Sequence, residues 1–300
     1  MNILVTGGTV FVSRFTAEYF ADKGHTVHVL NRGSRPQSKN VTHICCDRHE
    51  LNDRLKNIRF DAIIDVTAYN SDDIISLTDG LGSFDHYIFI SSSAVYPETL
   101  PQPFTENAEC GANSIWGAYG TDKICAEKKL LKRVPDAYIL RPPYLYGTMN
   151  NVFREAFVFE CAELNKPFYV PKDGKMPLQF FSVKDLCRFI ERIIELKPEQ
   201  HIFNVGNPKT IDIIQWVRLC YGVIGKEPEL KFVSDDVPQR NYFPFYDYAY
   251  KLDVSAMLGI MPDIQTLEDG LHESYHWFRQ NRELVKRKPL HEYIEKNFGG

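Results

Sequence analysis

Asn2 to Val5 is a short apolar run that breaks at Thr6-Gly7-Gly8-Thr9. From Phe11 to Lys23 the residues Phe11, Phe15, Tyr19 and Phe20 recur at helical spacing, and Gly24 stops the pattern. The reading is strand, turn, helix, turn. Further β-rich apolar runs follow at Thr26 to Leu30, Thr42 to Cys45, Ala62 to Val66 and Tyr87 to Ser91, each too short and too apolar for an exposed edge. After Ser91 comes a polar loop with Pro97, Pro101 and Pro103, then a helical segment from about Tyr119 to Arg133 and a strand from Ala137 to Arg141 that ends in Pro142-Pro143. Such alternation predicts an α/β fold, a Rossmann-type doubly wound parallel sheet covered by helices on both faces.

Beyond Gly147 the pattern changes. A helix is expected over Val152 to Leu164, a short segment at Phe168 to Val170, a helix over Val183 to Leu196, a strand at Ile202 to Val205, and a further element from Ile211 to Val223. These spacings predict a smaller C-terminal lobe interleaved with the sheet: 1–147 as the first domain, segments of about 181–206 returning to it, and 148–300 mostly the second lobe. There is no internal repeat and no long linker. The tail from Arg282, with Lys286, Arg287 and Lys288, reads as a solvated helix or arm.

Composition narrows the function. The chain has 300 residues, 44% hydrophobic and 25% charged, which excludes disordered, collagen-like and disulfide-scaffold classes. Its formal charge of −4 and pI near 6.2 give no global footprint for nucleic acid or anionic membrane. No apolar run approaches the ~20 residues of a spanning helix. The start, Met1-Asn2-Ile3-Leu4, lacks the flank of a signal peptide, so a cytoplasmic location is expected. Seven scattered cysteines, with no C-x-x-C pair and no His cluster, read as reduced, mostly buried thiols, and no metal site is expected.

A strand that delivers glycines to a helix start aims backbone N–H groups and the positive helix end at one spot, where a pyrophosphate can sit. Thr6-Gly7-Gly8-Thr9 is placed for that role. At the end of the second strand Leu30-Asn31-Arg32-Gly33 offers no acidic residue for two ribose hydroxyls, whereas Arg32, backed by Arg35 and Lys39, can pair with a 2′-phosphate. NADP is therefore favoured over NAD. Asp47, after the third strand, can accept from an adenine amino group or simply cap a turn.

Tyr119 and Lys123 are four residues apart, on one helix face. A cation near a phenol stabilises phenolate and brings its pKa down from ~10, which makes Tyr119 a candidate acid/base. Ser91-Ser92-Ser93 ends the preceding strand, where a hydroxyl can share a substrate oxygen or cap the strand end.

Taken in order, the glycine turn, Ser91-Ser92-x-x-Val95-Tyr96, Tyr119-x-x-x-Lys123, Arg141-Pro142-Pro143-Tyr144-Leu145-Tyr146-Gly147, Phe181 to Leu186, Phe203-Asn204-Val205-Gly206 and Leu267 to Leu271 resemble the extended short-chain dehydrogenases/reductases, the NAD-dependent epimerases/dehydratases. The match spans nearly the whole chain. Gly7-Gly8-Thr9-x-Phe11-Val12, Asn31-Arg32-Gly33 and Phe60 to Val66 look most like a branch that includes sugar-nucleotide-epimerase-like proteins and chloroplast stem-loop RNA-binding proteins. The resemblance implies an NAD(P)-binding first domain and a substrate-binding lobe. It makes Tyr119 the acid/base, Lys123 its partner and Ser92 the substrate-orienting hydroxyl. The implied cofactor contacts are Gly7, Gly8, Thr9, Phe11, Val12, Asn31, Arg32, Asp47 and Ala68, with Tyr119 and Lys123. Ser93, Tyr96, Tyr144 and Arg240 are the substrate contacts it suggests. The usual chemistry would be transient oxidation of a sugar hydroxyl and hydride return, on a nucleotide-sugar or related carbonyl compound. A homodimer would be in keeping with the family.

Two departures matter. Val10 and Ser13 stand where the family turn has glycines, and Tyr144 stands where many members have an asparagine. They keep two rivals in view: a cofactor-sensing or RNA-binding protein without turnover, and an NADPH-dependent carbonyl reductase.

Overall fold

A computed structural model describes residues 1–299. The chain divides into two units, and the first comprises Met1–Pro143, Val183–Pro208 and Leu252–Ile264. Its centre is a parallel sheet of β1 (Asn2–Thr6), β2 (Thr26–Asn31), β3 (Thr42–Cys45), β4 (Phe60–Asp65), β5 (Phe84–Ile90), β6 (Tyr138–Arg141) and β11 (Ile202–Asn204). The spatial order β11-β6-β5-β4-β1-β2-β3 reverses direction at β1, so the ends of β1 and β4 lie side by side. In sheets of this kind ligands bind at that reversal.

Both faces of the sheet are dry. Leu4, Leu30, Ile63, Phe89 and Ile139 share a core with Ile74 and Leu77 of α2 (Ser71–Gly80) and Ala126 and Leu130 of α3 (Ala118–Arg133). Strand alternation turns Ile3, Val5, Val29, Ile64 and Ile88 to the other face, where they are equally buried. On that side α1 (Phe11–Asp22) packs on β1 and β2 and against α5 (Val183–Leu196). The expected doubly wound α/β fold is the one observed.

Two readings need correction. β3 is an edge strand, with Thr42 and Cys45 exposed, because it pairs on one side only; four residues keep that edge short. The helix α2 was not anticipated, although Asn70 and Asp73 cap it reciprocally, and such a box is a sequence signal.

The second unit comprises Tyr144–Ser182, Lys209–Lys251 and Gln265–Gly300, the last residue lying outside those described. Its strands pair two by two: β7 (Tyr144–Tyr146) with β10 (Phe180–Ser182), β9 (Pro177–Leu178) with β12 (Ile211–Asp212), and β8 (Phe168–Pro171) with β13 (Leu230–Val233). The helices α4 (Glu155–Glu163), α6 (Ile213–Gly222) and α8 (Leu267–Gln280) pack together. The tail is anchored by ion pairs rather than free. Arg282 donates to Glu163 at 2.6 and 2.5 Å and Arg287 to Glu160, before α9 (Leu290–Phe298) closes the chain.

Among the described residues no helix is long and apolar enough to cross a membrane, and no group of three or more His, Cys, Asp or Glu is arranged to hold a metal ion.

Candidate active site

The turn after β1 needs both of its glycines. Gly7 and Gly8 have φ of +91° and +83°, a region that side chains avoid. A Cβ on Gly8 would lie 2.5 Å from Val29, and one on Gly7 would lie 2.8 Å from the Ser13 hydroxyl. Backbone thus passes close over β2 and the first turn of α1. Ser13 is compatible with this packing: it is buried, and its hydroxyl donates to the Val10 carbonyl at 3.0 Å. Val10 lies in extended backbone at the N-cap of α1, and no side chain caps that helix. Phe11 opens it at φ +36°, a strained conformation of the kind that concentrates at ligand sites. Free N–H groups at a helix start, beneath a two-glycine turn, form an anion cradle by geometry. Thr9 and Val12 flank it, half-buried.

At the end of β2 the Asn31 amide is occupied. It donates to the Gly7 carbonyl at 2.6 Å and to Gln37, and its oxygen accepts from Gly33, so it ties the strand end to the turn. Arg32 extends into solvent with its side chain 76% exposed, and its guanidinium lies 4.0 Å from Asp47. Asp47 caps the turn after β3 through the His49 N–H. Arg35 and Lys39 are exposed nearby in sequence.

Lys123 is the least expected feature. It is 2% exposed, and its ammonium donates to the carbonyls of Ala68 at 2.7 Å, in the loop after β4, and Ile90 at 2.9 Å, at the end of β5. The rings of Tyr69 and Phe89 lie 5.2 and 4.6 Å from it. Burial disfavours its charge most, and Arg48 adds repulsion; Asp65 and Glu127 counter them, and the balance brings the amine down to about 8. Tyr119, one turn earlier on α3, is 41% exposed and tilts its ring against Tyr69. Gly120 lets this turn of α3 sit directly on the Ser93–Val95 segment, since a Cβ there would collide with the Ala94 carbonyl. The glycine therefore brings the first turn of α3 against the Ser93–Val95 segment. Ser92 is half-buried and its hydroxyl accepts from Ala94 N–H at 3.2 Å, while Ser93 is buried.

Other candidates are placed elsewhere. Tyr96 is wholly buried: its hydroxyl donates to Asn204 and accepts from Arg141, each at 2.8 Å, so it belongs to the core and not to a substrate surface. In the second unit Tyr144 is buried among Phe180, Phe245 and Tyr250, with the Arg154 guanidinium 4.9 Å from its ring. That burial pushes its phenol up to about 12. Arg240, half-buried, donates to the carbonyls of Phe243 and Pro244 and stacks on Tyr246. Neither Arg154 nor Arg240 has a carboxylate partner among the described residues.

Sequence reasoning missed Asp65 and Arg48. Asp65 is fully buried at the end of β4 and accepts from Thr6 and Tyr87 at 2.7 Å each and from Arg48 at 2.9 Å. The pull of Arg48 holds its carboxyl below the ordinary range despite burial. An aspartate directly after the apolar run Ala62-Ile63-Ile64 was the available signal.

Comparison with known proteins gives the chain a family and a shared fold. The sequence pattern of the NAD dependent epimerase/dehydratase family matches residues 3–86 and 73–206. The chloroplast stem-loop binding protein of 41 kDa b of Arabidopsis thaliana is 25% identical over 92% of this chain and 78% of its own length. UDP-glucuronic acid decarboxylase 1 of Xenopus tropicalis is 24% identical over 98% and 75%. Among solved structures, dTDP-glucose 4,6-dehydratase of Bacillus anthracis in complex with NAD superposes with a TM-score of 0.74 at 18% identity, covering 97% of this chain and 99% of that one. UDP-N-acetylglucosamine 4-epimerase of Methanobrevibacter ruminantium gives 0.75 at 21% identity, covering 93% and 98%. The two likenesses show a shared fold, and the pattern match, which runs through the glycine turn, the serines, Tyr119 and Lys123, places the chain in the NAD dependent epimerase/dehydratase family.

Proposed function

We propose that the protein is a nicotinamide-dinucleotide-dependent oxidoreductase of the epimerase/dehydratase type, acting on a nucleotide-sugar through Tyr119, Lys123 and Ser92. The carrying observation is Lys123: a buried ammonium held by two backbone carbonyls, one helical turn from an exposed tyrosine. The cradle of Gly7, Gly8 and the uncapped start of α1 fits a pyrophosphate. A bound nicotinamide ring would supply hydride acceptance and return. Lys123 has three protons to donate and commits two to carbonyls, so the third serves a ribose hydroxyl or the Tyr119 oxygen. Tyr119 takes the proton of the reacting hydroxyl and later returns it, with the Ser92 hydroxyl orienting the same oxygen. Arg32, charged and solvent-facing at the end of β2, favours NADP over NAD. Arg240, half-buried and bonded to carbonyls, is a proposed contact for a phosphate.

Replacing Tyr119 with Phe removes only the proton-transfer oxygen. Tyr119→Phe is expected to keep dinucleotide affinity while turnover of nucleotide-sugars falls ~10²- to 10⁴-fold. Undiminished turnover would remove Tyr119 from the mechanism. The stem-loop binding relative supports a second reading, a nucleic-acid-binding protein on the same fold. The net charge of −4 speaks against it, and absence of RNA retention at low ionic strength would dismiss it.

A further inference from the structure

We propose that two buried ion pairs, Asp65 with Arg48 and Glu127 with Arg141, are positioning residues for Lys123: each fixes one of the two backbone carbonyls that hold its ammonium group. The inference rests on the assignment of Lys123 to the site.

The first carbonyl is that of Ala68, whose own N–H donates to Asp65 Oδ1 at 3.2 Å. Asp65 is clamped in turn by Thr6 at the end of β1, Tyr87 on β5 and Arg48 in the turn after β3. Arg48 also reaches the Thr67 hydroxyl at 3.3 Å. Two residues of the loop after β4, Thr67 and Ala68, are thereby tied to one buried pair.

The second carbonyl is that of Ile90, on the peptide shared with Ser91. The N–H of that peptide donates to Leu140 on β6 at 2.8 Å, and the Ser91 hydroxyl donates to Glu127 at 2.5 Å. Arg141 grips both oxygens of Glu127, at 3.1 and 2.6 Å, and its remaining arm reaches Tyr96 and the Glu106 carbonyl. The two networks mirror each other across the lysine.

Buried pairs of this kind are poor stabilisers, since well-packed apolar residues of similar volume often serve folding as well. Their placement on either side of one buried cation gives them a different task. Lys123 bonds only carbonyls in the contacts above; the negative charges that support it come from Asp65 on β4, Asp73 on α2 and Glu127 on its own helix, with Arg48 opposing and the rings of Tyr69 and Phe89 adjacent. Removing a carboxylate charge should therefore both loosen the lysine and make its ammonium less favourable.

The test follows the Lys123 amine itself, in protein labelled with ¹³C-lysine and titrated by NMR; its resonance is the one missing from Lys123→Met. The wild-type midpoint is expected at about 8. In Asp65→Asn and Glu127→Gln, which keep shape and lose charge, it should fall by about one pH unit or more, a tenfold change in the protonation constant, and dinucleotide affinity at pH 7.5 should weaken in step. Asp65→Glu, which restores the charge, should recover most of the midpoint. A midpoint unmoved in folded Asp65→Asn or folded Glu127→Gln overturns the proposal, and should one of these two fail to fold, the other reads the same quantity at the opposite carbonyl. Because the titration needs neither cofactor nor turnover, its outcome is independent of the Tyr119→Phe result.

Discussion

At the scale of single residues, Asn31 and Ser91 spend their polar atoms on backbone and on buried partners, whereas Tyr119 and Arg32 are exposed. Arg32, 76% exposed and 4.0 Å from Asp47, is the residue on which the proposed NADP preference rests. A guanidinium on a 2′-phosphate is a charge-assisted contact worth ~1.5 to 3 kcal/mol, so Arg32→Ala is expected to weaken NADP binding ~10-fold or more and leave NAD nearly unchanged. Calorimetric titration of both dinucleotides checks this, and equal losses would refute a 2′-phosphate role. The pair Tyr119 and Lys123 was legible in the sequence because four-residue spacing on a helix is local. The pair Arg48 and Asp65 was not: seventeen positions separate residues that meet only because β3 and β4 lie on opposite sides of the β1–β2 pair and the loop after β3 folds back. For the same reason Tyr96 was misassigned, since its partners Arg141 and Asn204 come from two later strands.

At the scale of elements, the turn from β1 to α1 carries the argument. Its glycines are required by two independent constraints, positive φ and the approach to Val29 and Ser13, and Val10 in the place of the family's second glycine is accommodated in extended backbone. Gly8→Ala introduces both faults at once. It should destabilise the protein by ~1 to 3 kcal/mol and abolish dinucleotide binding, measured by denaturant unfolding and by calorimetry; a stable variant that binds normally would show the turn to be only a turn. The strands of the first unit were legible as short apolar runs buried on both faces, and α1, α3 and α5 because their apolar residues follow a period of 3.6. In α2 only Ile74 and Leu77 are apolar residues of the shared core, and Asp72, Asp73 and Asp79 blur the pattern. β3 carries the composition of an interior strand and lies at the edge, a distinction set by pairing order and not by the residues themselves.

At the scale of the whole molecule, the first unit carries the glycine turn, Lys123, Tyr119 and Ser92, the residues on which the proposed function rests. The central claim is that the cradle holds a nicotinamide dinucleotide, and a thermal melt of the intact protein with NADP, with NAD and with neither tests it most directly. The supernatant of heat-denatured protein should be assayed alongside for released nucleotide. A ligand at 100 times its dissociation constant adds about 2.7 kcal/mol, a rise of a few degrees for a chain of this size. Stabilisation by NADP beyond that by NAD, or nucleotide released on denaturation, is the predicted result. A melting temperature unmoved by either dinucleotide, with no nucleotide released, would contradict the account at its base.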